Sequence, residues 1–418
     1  MVESFLNDRV ALHAGDCMDV LARLEECSID SCVSDPPYHL TSIVKRFGAA
    51  NARASAGFMG KQWDGGDIAF NPELWALVWR ALKPGAHLVA FSGTRTYHRM
   101  ACAIEDAGFE IRDQLAWCYG SGFPKSHDVS KALDKREGHW RGRAGAVTIA
   151  EQVAKGTEYE RTPKGDPITA AAAAAAGWGT ALKPAWEPIV FARKPLDGTV
   201  ADNWLEYGTG AINIDRCRVE YADEADRAAA AAAQRLCQDD DARHRSAYRI
   251  DSGDHLAGSL QQWNEKSALG RWPANIVSNG SEPALRYFYS AKADADDRIG
   301  SKHPTVKPVD LMQWLVRLVT PKGGLVLDPF AGTGTTGEAA WREGMRAVLI
   351  ERESEYQDDI RRRMKLCLAG PDEKRRESLK ARGLVDDAGP LFGGNTETRG
   401  GGRQIYGVFA DEKSARSD

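Results

Sequence analysis

A chain of 418 residues with 43% hydrophobic side chains can bury a full core, and its length suggests two or three domains. It opens without a basic-then-apolar leader and carries no apolar run of membrane length, so neither a secretory signal nor a membrane span is expected, and the expected location is the cytoplasm. Eight cysteines, at 17, 27, 32, 102, 118, 217, 237 and 367, form no C-x-x-C pair and have no histidine at zinc spacing, which argues for reduced thiols and no metal site; a net charge of -4 lacks the basic footprint of most nucleic-acid binders.

Short β-branched, apolar runs recur at 10–13, 29–33, 87–91, 111–117, 188–191, 325–327 and 346–350, each followed by a helical or glycine-rich stretch. Strands alternating with helices predict a doubly wound α/β sheet. After the first strand, Asp16 is suited to cap a helix over 18–24. After the second comes Asp35-Pro36-Pro37-Tyr38, whose two prolines make a rigid corner at a strand end. A helix over 72–82 is expected behind an Asn71 cap, with Trp75, Val78, Trp79 and Leu82 on its core face. Residues 120–300 differ in texture, being rich in Gly, Trp and Arg and broken by an alanine run at 170–176 and a polar stretch at 222–259, as suits an insertion. Beyond about 370 the chain is charged and then glycine-rich, with little to bury, and disorder is expected.

The strand at 325–327 runs into Asp328-Pro329-Phe330-Ala331-Gly332-Thr333-Gly334-Thr335-Thr336-Gly337, where glycines let backbone approach a ligand at a helix N-terminus. Gly332, Gly334 and Gly337 also satisfy the dinucleotide fingerprint, with Glu351 at a suitable distance to grip a ribose, so a nicotinamide oxidoreductase is a competing reading. A P-loop is excluded because no lysine follows.

The Asp-Pro-Phe-Ala lead-in, the paired hydroxyls Thr335-Thr336, the segment His303-Pro304-Thr305-Val306-Lys307-Pro308 and the apolar stripe Leu311, Leu315, Leu318 together resemble the S-adenosylmethionine half of amino-methyltransferases. Asp35-Pro36-Pro37-Tyr38 resembles their amine site, and its position ahead of the cofactor loop is the permuted order of the beta class. Across most of residues 5 to 365 the chain resembles a site-specific DNA methyltransferase of the N6-adenine and N4-cytosine family. Leu82-Lys83-Pro84-Gly85, Gly120-Ser121-Gly122-Phe123-Pro124-Lys125-Ser126, Trp186-Glu187-Pro188-Ile189 and Ala211-Ile212-Asn213-Ile214-Asp215 resemble stretches common in phage and prophage members.

The resemblance implies a Rossmann-like sheet in permuted order: an amine-site half at 1–119, a target-recognition insertion at 120–295 with 186–192 returning to the sheet, a cofactor half at 296–368 and a tail at 369–418. It implies S-adenosyl-L-methionine as cofactor, with Asp16 and Cys17 receiving the adenine, Lys307 meeting the methionine carboxylate, and Asp328, Phe330, Gly332, Gly334, Thr335, Thr336 and Glu351 forming the rest of the site. Capping and adenine recognition remain equal readings of Asp16 from the local sequence alone.

An exocyclic base amine is a poor nucleophile because its lone pair is delocalised into the ring. Acceptors on both amine hydrogens localise that pair, and the Asp35 carboxylate and Pro36 carbonyl, fixed by Pro37, are such acceptors. Tyr38 offers a face for a base drawn out of the duplex. Lys125, Arg216, Arg218, Arg271 and Trp272 are candidate contacts to double-stranded DNA, while the acids at 239–241 and 294–297 must face away. Asp at the head of the amine motif is more usual for adenine and Ser for cytosine, which favours N6 of adenine over N4 of cytosine. A cognate nuclease and a homodimer are both compatible with the resemblance. A non-catalytic DNA-binding relative is disfavoured by the intact run Asp35 to Tyr38.

Overall fold

The computed structural model describes residues 2–38, 67–119, 126–139, 165–221, 223–228, 270–278, 288–289, 292–301, 303, 305–370, 373, 376, 377 and 379. Lys125, the acids at 239–241 and the glycine-rich part of the tail lie outside the described residues. The strands are β1 (Val2–Phe5), β2 (Val10–Ala14), β3 (Ile29–Ser34), β4 (Leu82–Phe91), β5 (Glu110–Cys118), β6 (Trp186–Arg193), β7 (Ile276–Ser278), β8 (Phe288–Tyr289), β9 (Leu325–Asp328) and β10 (Arg346–Glu351). The helices are α1 (Cys17–Leu21), α2 (Pro72–Ala81), α3 (Tyr97–Asp106), α4 (Val129–Arg136), α5 (Ala170–Ala174), α6 (Val200–Tyr207), α7 (Ala295–Arg298), α8 (Val309–Val319), α9 (Thr335–Arg342) and α10 (Ser354–Cys367).

All these strands join one sheet in the order β1-β2-β10-β9-β3-β4-β6-β5-β7-β8. From β2 to β4 the neighbours are parallel, and β6 alone runs against its neighbours on both sides. The chain moves outward in one direction from β3 to β4 and in the other from β9 to β10, beyond which the N-terminal β2 is paired. The two directions diverge where β3 pairs β9, Ser31 opposite Val326 and Cys32 opposite Leu327. In an open α/β sheet that reversal leaves a crevice beyond the carboxyl ends of the two strands, where ligands bind.

Alternating residues send their side chains to opposite faces. Val89, Phe91, Val326 and Leu349 enter one apolar cluster, under α8, α9 and α10, and Leu88, Ala90, Leu327 and Ile350 enter the other, under α1, α2 and α3. The helix α8 buries Leu311, Met312, Trp314, Leu315 and Val316 against the first cluster.

Boundary differences have local causes. The helix expected over 18–24 stops at Leu21, because the Arg80 guanidinium gathers the carbonyls of Leu21, Ala22 and Leu24. The helix expected over 72–82 ends at Ala81 behind the expected Asn71 cap, and Leu82 instead opens β4; Pro84 favours extended backbone before it. The edge strand β1, with no buried side chain, carries no apolar run by which the sequence could announce it. The strand expected at 188–191 is β6, which lies between β4 and β5.

The alanine run forms α5, capped by Thr169, and docks on α4 through buried polar groups. Ser130 donates to the Ala172 carbonyl at 2.6 Å, and the Asp134 carboxylate accepts from the amides of Ile168 and Thr169 and from the Thr169 hydroxyl. Alanine's small side chain permits the close approach, and Asp134 has three donors to offset its burial.

Candidate active site

The carboxyl ends of β3 and β9 are tied together by Asp328. Its Oδ1 accepts from the Ser34 hydroxyl at 2.6 Å and the Phe330 amide at 3.1 Å, and its Oδ2 accepts from the Thr336 hydroxyl at 2.5 Å. Burial raises its pKa to about 6 even against these donors. Asp328 therefore joins two strand tips to the first turn of α9, holding the glycine loop in register with the amine corner.

Gly332 and Gly334 have φ of +53° and +78°, left-handed values that glycine alone adopts freely. A Cβ on Gly334 would also stand 3.1 Å from Ile360. At the end of β10, Glu351 accepts from the Gly332 amide at 2.8 Å and from the Glu353 amide at 2.8 Å, and burial pushes its pKa up to about 7. From beneath, Arg363 donates to the Thr333 carbonyl at 2.8 Å and pairs with Glu338 at 2.7 Å. Sequence reading missed Arg363, because Arg361-Arg362-Arg363 looks like a solvated run, yet Arg363 is 1% exposed.

Asp16 caps α1, its Oδ1 accepting from the Met18 amide at 2.9 Å, while the residue also lines the cavity described below. One carboxylate thus has both the capping geometry and a ligand-facing position. The Cys17 thiol is buried and pushed up to about 12, which leaves its backbone as the useful part. Phe330 packs against the cluster under α1, α2 and α3 and lines the same cavity, as do Thr335 and Thr336.

At the end of β3, Asp35, Tyr38, Glu187 and Lys307 form one buried cluster. Lys307 Nζ lies 2.6 Å from Asp35 Oδ2, 3.3 Å from Glu187 Oε2 and 3.1 Å from the Tyr38 hydroxyl. The Tyr38 hydroxyl lies 2.8 Å from Asp35 Oδ1 and 3.0 Å from Glu187 Oε2. The Thr96 hydroxyl pins the Tyr38 carbonyl at 2.9 Å, fixing the far side of the two prolines. Burial opposes the charge on Lys307, but Asp35 and Glu187 outweigh it and raise the ammonium's pKa. Burial raises the Asp35 carboxyl against the pull of Lys307, whereas Lys307 and the Tyr38 hydroxyl bring Glu187 below its ordinary value despite burial. Tyr38 is held well above its usual range by burial and by both carboxylates, so it stays a phenol.

Two features of this cluster go beyond the sequence reading. Lys307, expected at the cofactor's methionine carboxylate, is held by the amine-site carboxylates and also lines the cavity. Glu187 was not singled out, although a carboxylate at the start of β6, ahead of the apolar run 188–192, was a readable signal.

One cavity of about 1390 Å³ connects the two halves. Gly15, Asp16, Gly332 and Glu351 line one end, and Asp35, Tyr38 and Glu187 the other. Single-ligand pockets run to roughly 1,000 Å³, so this space exceeds what one small molecule needs. Among the described residues no group of three or more His, Cys, Asp or Glu could hold a metal ion, and no helix is long and apolar enough to cross a membrane.

The candidate DNA contacts lie elsewhere. Arg216 pairs with Glu343 at 3.3 Å, and Arg218 with Asp215 at 3.0 Å and with the Gly270 carbonyl at 3.1 Å. Arg271 is paired with Asp226, and Arg218 stacks over the Trp272 ring at 5.2 Å. None of these residues lines the cavity. Their charges are matched within the protein, which a linear reading of basic residues cannot reveal.

Type II methyltransferase M.HindIII of Haemophilus influenzae is 25% identical over 272 residues, 64% of this chain and 60% of that protein. M2.DpnII of Streptococcus pneumoniae is 41% identical over 68 residues, 16% of this chain and 25% of that one. The chain thus spans less than two thirds of the length of either relative. Among solved structures, the protein TTHA0409 of Thermus thermophilus complexed with S-adenosyl-L-methionine matches with a TM-score of 0.40 and 17% identity, over 86% of this chain and 94% of that one. The cytosine-N4-specific PvuII DNA methyltransferase matches with a TM-score of 0.44 and 14% identity, over 90% and 94%. The N6/N4 family model, described as DNA methylase, matches residues 29–362, a span that holds both the amine corner and the glycine loop and sets aside the dinucleotide reading of that loop; the chain belongs to this family.

Proposed function

We propose that this protein transfers a methyl group from S-adenosyl-L-methionine to the N6 amine of an adenine drawn out of duplex DNA. The observation that carries the reading is the single cavity running from the glycine loop to the Asp35 cluster across the β9/β3 reversal.

The residues at the loop end fit the cofactor. A positive-φ glycine loop permits close backbone approach, and Glu351 and Asp16 offer acceptors for ribose hydroxyls and an adenine amine. When bound, the cofactor supplies an electrophilic methyl on a sulfonium. The protein's task is to deliver an amine with a localised lone pair. Asp35 and the Pro36 carbonyl accept the two amine hydrogens, and the paired prolines hold those acceptors in place before the base arrives. Lys307 orients the Asp35 carboxylate and favours its ionised form within a buried site, while Glu187 shares the same ammonium and opposes that ionisation. Asp35 also disperses positive charge developing on nitrogen. The preference for adenine over N4 of cytosine rests on Asp35 at the head of the motif. The relatives named type II methyltransferases suggest a cognate nuclease at the same DNA motif, and a palindromic motif would suit a homodimer.

Expression in a methylation-free bacterial host, beside an Asp35→Ala variant, followed by single-molecule sequencing of genomic DNA tests this directly. N6-methyladenine in one short motif, lost in the variant, is the expected result. N4-methylcytosine keeps the chemistry and overturns the base; no modification rejects the reading. The loop has its own test. Gly334→Val forces a β-branched residue to a φ of +78° and against Ile360, a strain of about 1–3 kcal/mol if the loop holds its shape. Calorimetric titration should therefore show cofactor affinity falling by roughly tenfold or more, whereas Asp35→Ala keeps it.

A further inference from the structure

Residues 126–139 and 165–186 form a cap beside the amine corner. The Trp178 carbonyl accepts from the Val129 amide at 3.2 Å, Gly179 bridges to Asp128, and the Thr180 amide donates to the Ser126 hydroxyl at 2.9 Å. At the other end the Ala185 carbonyl accepts from the Tyr119 amide at 2.8 Å, just before β6 begins. Between these anchors, residues 181–185 cross the cavity rim outside regular structure, and every residue from Thr180 to Glu187 lines the cavity.

This strap presents the wrong side chains to water for a mere connection. Leu182 is 92% exposed at its crest, flanked by Trp178 at 70% and Trp186 at 39%. Isolated exposed apolar residues need no explanation, but here Leu182 and Trp186 stand exposed on a tethered segment that lines a substrate cavity, with Trp178 exposed at its anchored end. Among the described residues, the exposed charges lining the cavity on this side are Arg95 and Lys183, both positive, while the outer acids Asp16 and Glu353 belong to the cofactor end. A polyanionic partner that also offers an apolar interior matches this combination, and duplex DNA opened at one base step is such a partner.

The geometry points to the strap 178–186 as the DNA-facing wedge of the enzyme, with Leu182 entering the duplex where the target base leaves and filling its place in the stack. The inference rests on the methyltransferase reading and adds a DNA-facing surface at the mouth of the cavity. Trp178 and Trp186 flank the opened step, and Arg95 and Lys183 meet the phosphates beside it. Its tethering matters because a wedge ordered in advance spends less of its binding energy on ordering.

The test uses the full chain and two duplexes carrying the motif mapped as above, one with the target base paired and one with it facing a mismatch. Leu182→Ala should lower kcat/KM on the paired duplex by about tenfold or more, since the wedge offsets part of the unstacking cost, and should change it little on the mismatched one. Leu182→Phe should recover most of the loss. With 2-aminopurine at the target position, the fluorescence rise seen with wild type should be absent with Leu182→Ala, while the melting temperature and cofactor affinity stay unchanged. Equal losses on both duplexes, or no loss on either, would overturn the wedge while leaving the methyltransferase reading intact. Wild type that methylates neither duplex would sink the parent reading and this one with it.

Discussion

Asp35→Ala should reduce methyl transfer by about a thousandfold or more while cofactor affinity stays essentially unchanged. The size follows from losing two contributions at once: the acceptor that localises the amine lone pair and the negative charge facing the developing cation, each worth a few kcal/mol in a dry site. Stability is a confounder that the geometry lets one remove. Asp35 is the nearest partner of a fully enclosed Lys307, and deleting one member of a buried ion pair costs about 3–5 kcal/mol when nothing compensates. Glu187, at 3.3 Å from the same ammonium, compensates in part, so the measured loss should fall at or below the low end of that range. In the double variant Asp35→Ala with Lys307→Met the ammonium left to Glu187 alone is gone, and transfer should still not return. Recovery of activity in the double variant would mean that Asp35 serves only to neutralise Lys307, and its chemical role would have to be abandoned.

How far the sequence could be read depended on the range of the interactions. The strands at 325–327 and 346–350 were legible because both faces of a central parallel strand are buried, which compels a near-continuous apolar run, whereas β3 buries Asp30 and Ser31 within its span. The two motifs were legible because each works through its own backbone: a rigid Pro-Pro corner and glycines at positive φ. The partners of Lys307 were not. Its ammonium meets Asp35 across 272 positions, and nothing in the local sequence distinguishes a lysine bound for a cofactor carboxylate from one bound for a protein carboxylate. The partners of Arg216 and Arg271 were hidden for the same reason, since Glu343 and Asp226 are close to them only in the fold, whereas Asp215 lies three positions before Arg218 and could have been read as its partner. The α4/α5 cap was invisible because its bonds run from Ser130 and Asp134 to backbone, and backbone groups leave no trace in the sequence.

The position of Lys307 leads to the second large effect. Lys307→Met removes the cation shared by Asp35 and Glu187 and keeps the side chain's bulk, leaving two carboxyl groups in one buried pocket. Like charges at that range do not both ionise readily, so the pair should hold a proton to higher pH and titrate as a unit. The sign is fixed: an acid whose pKa rises is ionised only at higher pH, and transfer needs ionised Asp35. The acid limb of the kcat/KM profile should therefore move upward by about one unit or more, so that at any pH on that limb activity falls by up to roughly tenfold for each unit the limb moves and returns as the pH is raised. Adding Glu187→Gln removes the competing carboxylate and should draw the limb part of the way back. Cofactor affinity should be flat across all three proteins, because Lys307 spends its hydrogen bonds on Asp35, Glu187 and Tyr38. A weakened cofactor affinity with an unmoved acid limb would instead assign Lys307 to the methionine carboxylate, and the ammonium would then have to leave Asp35 when the cofactor enters.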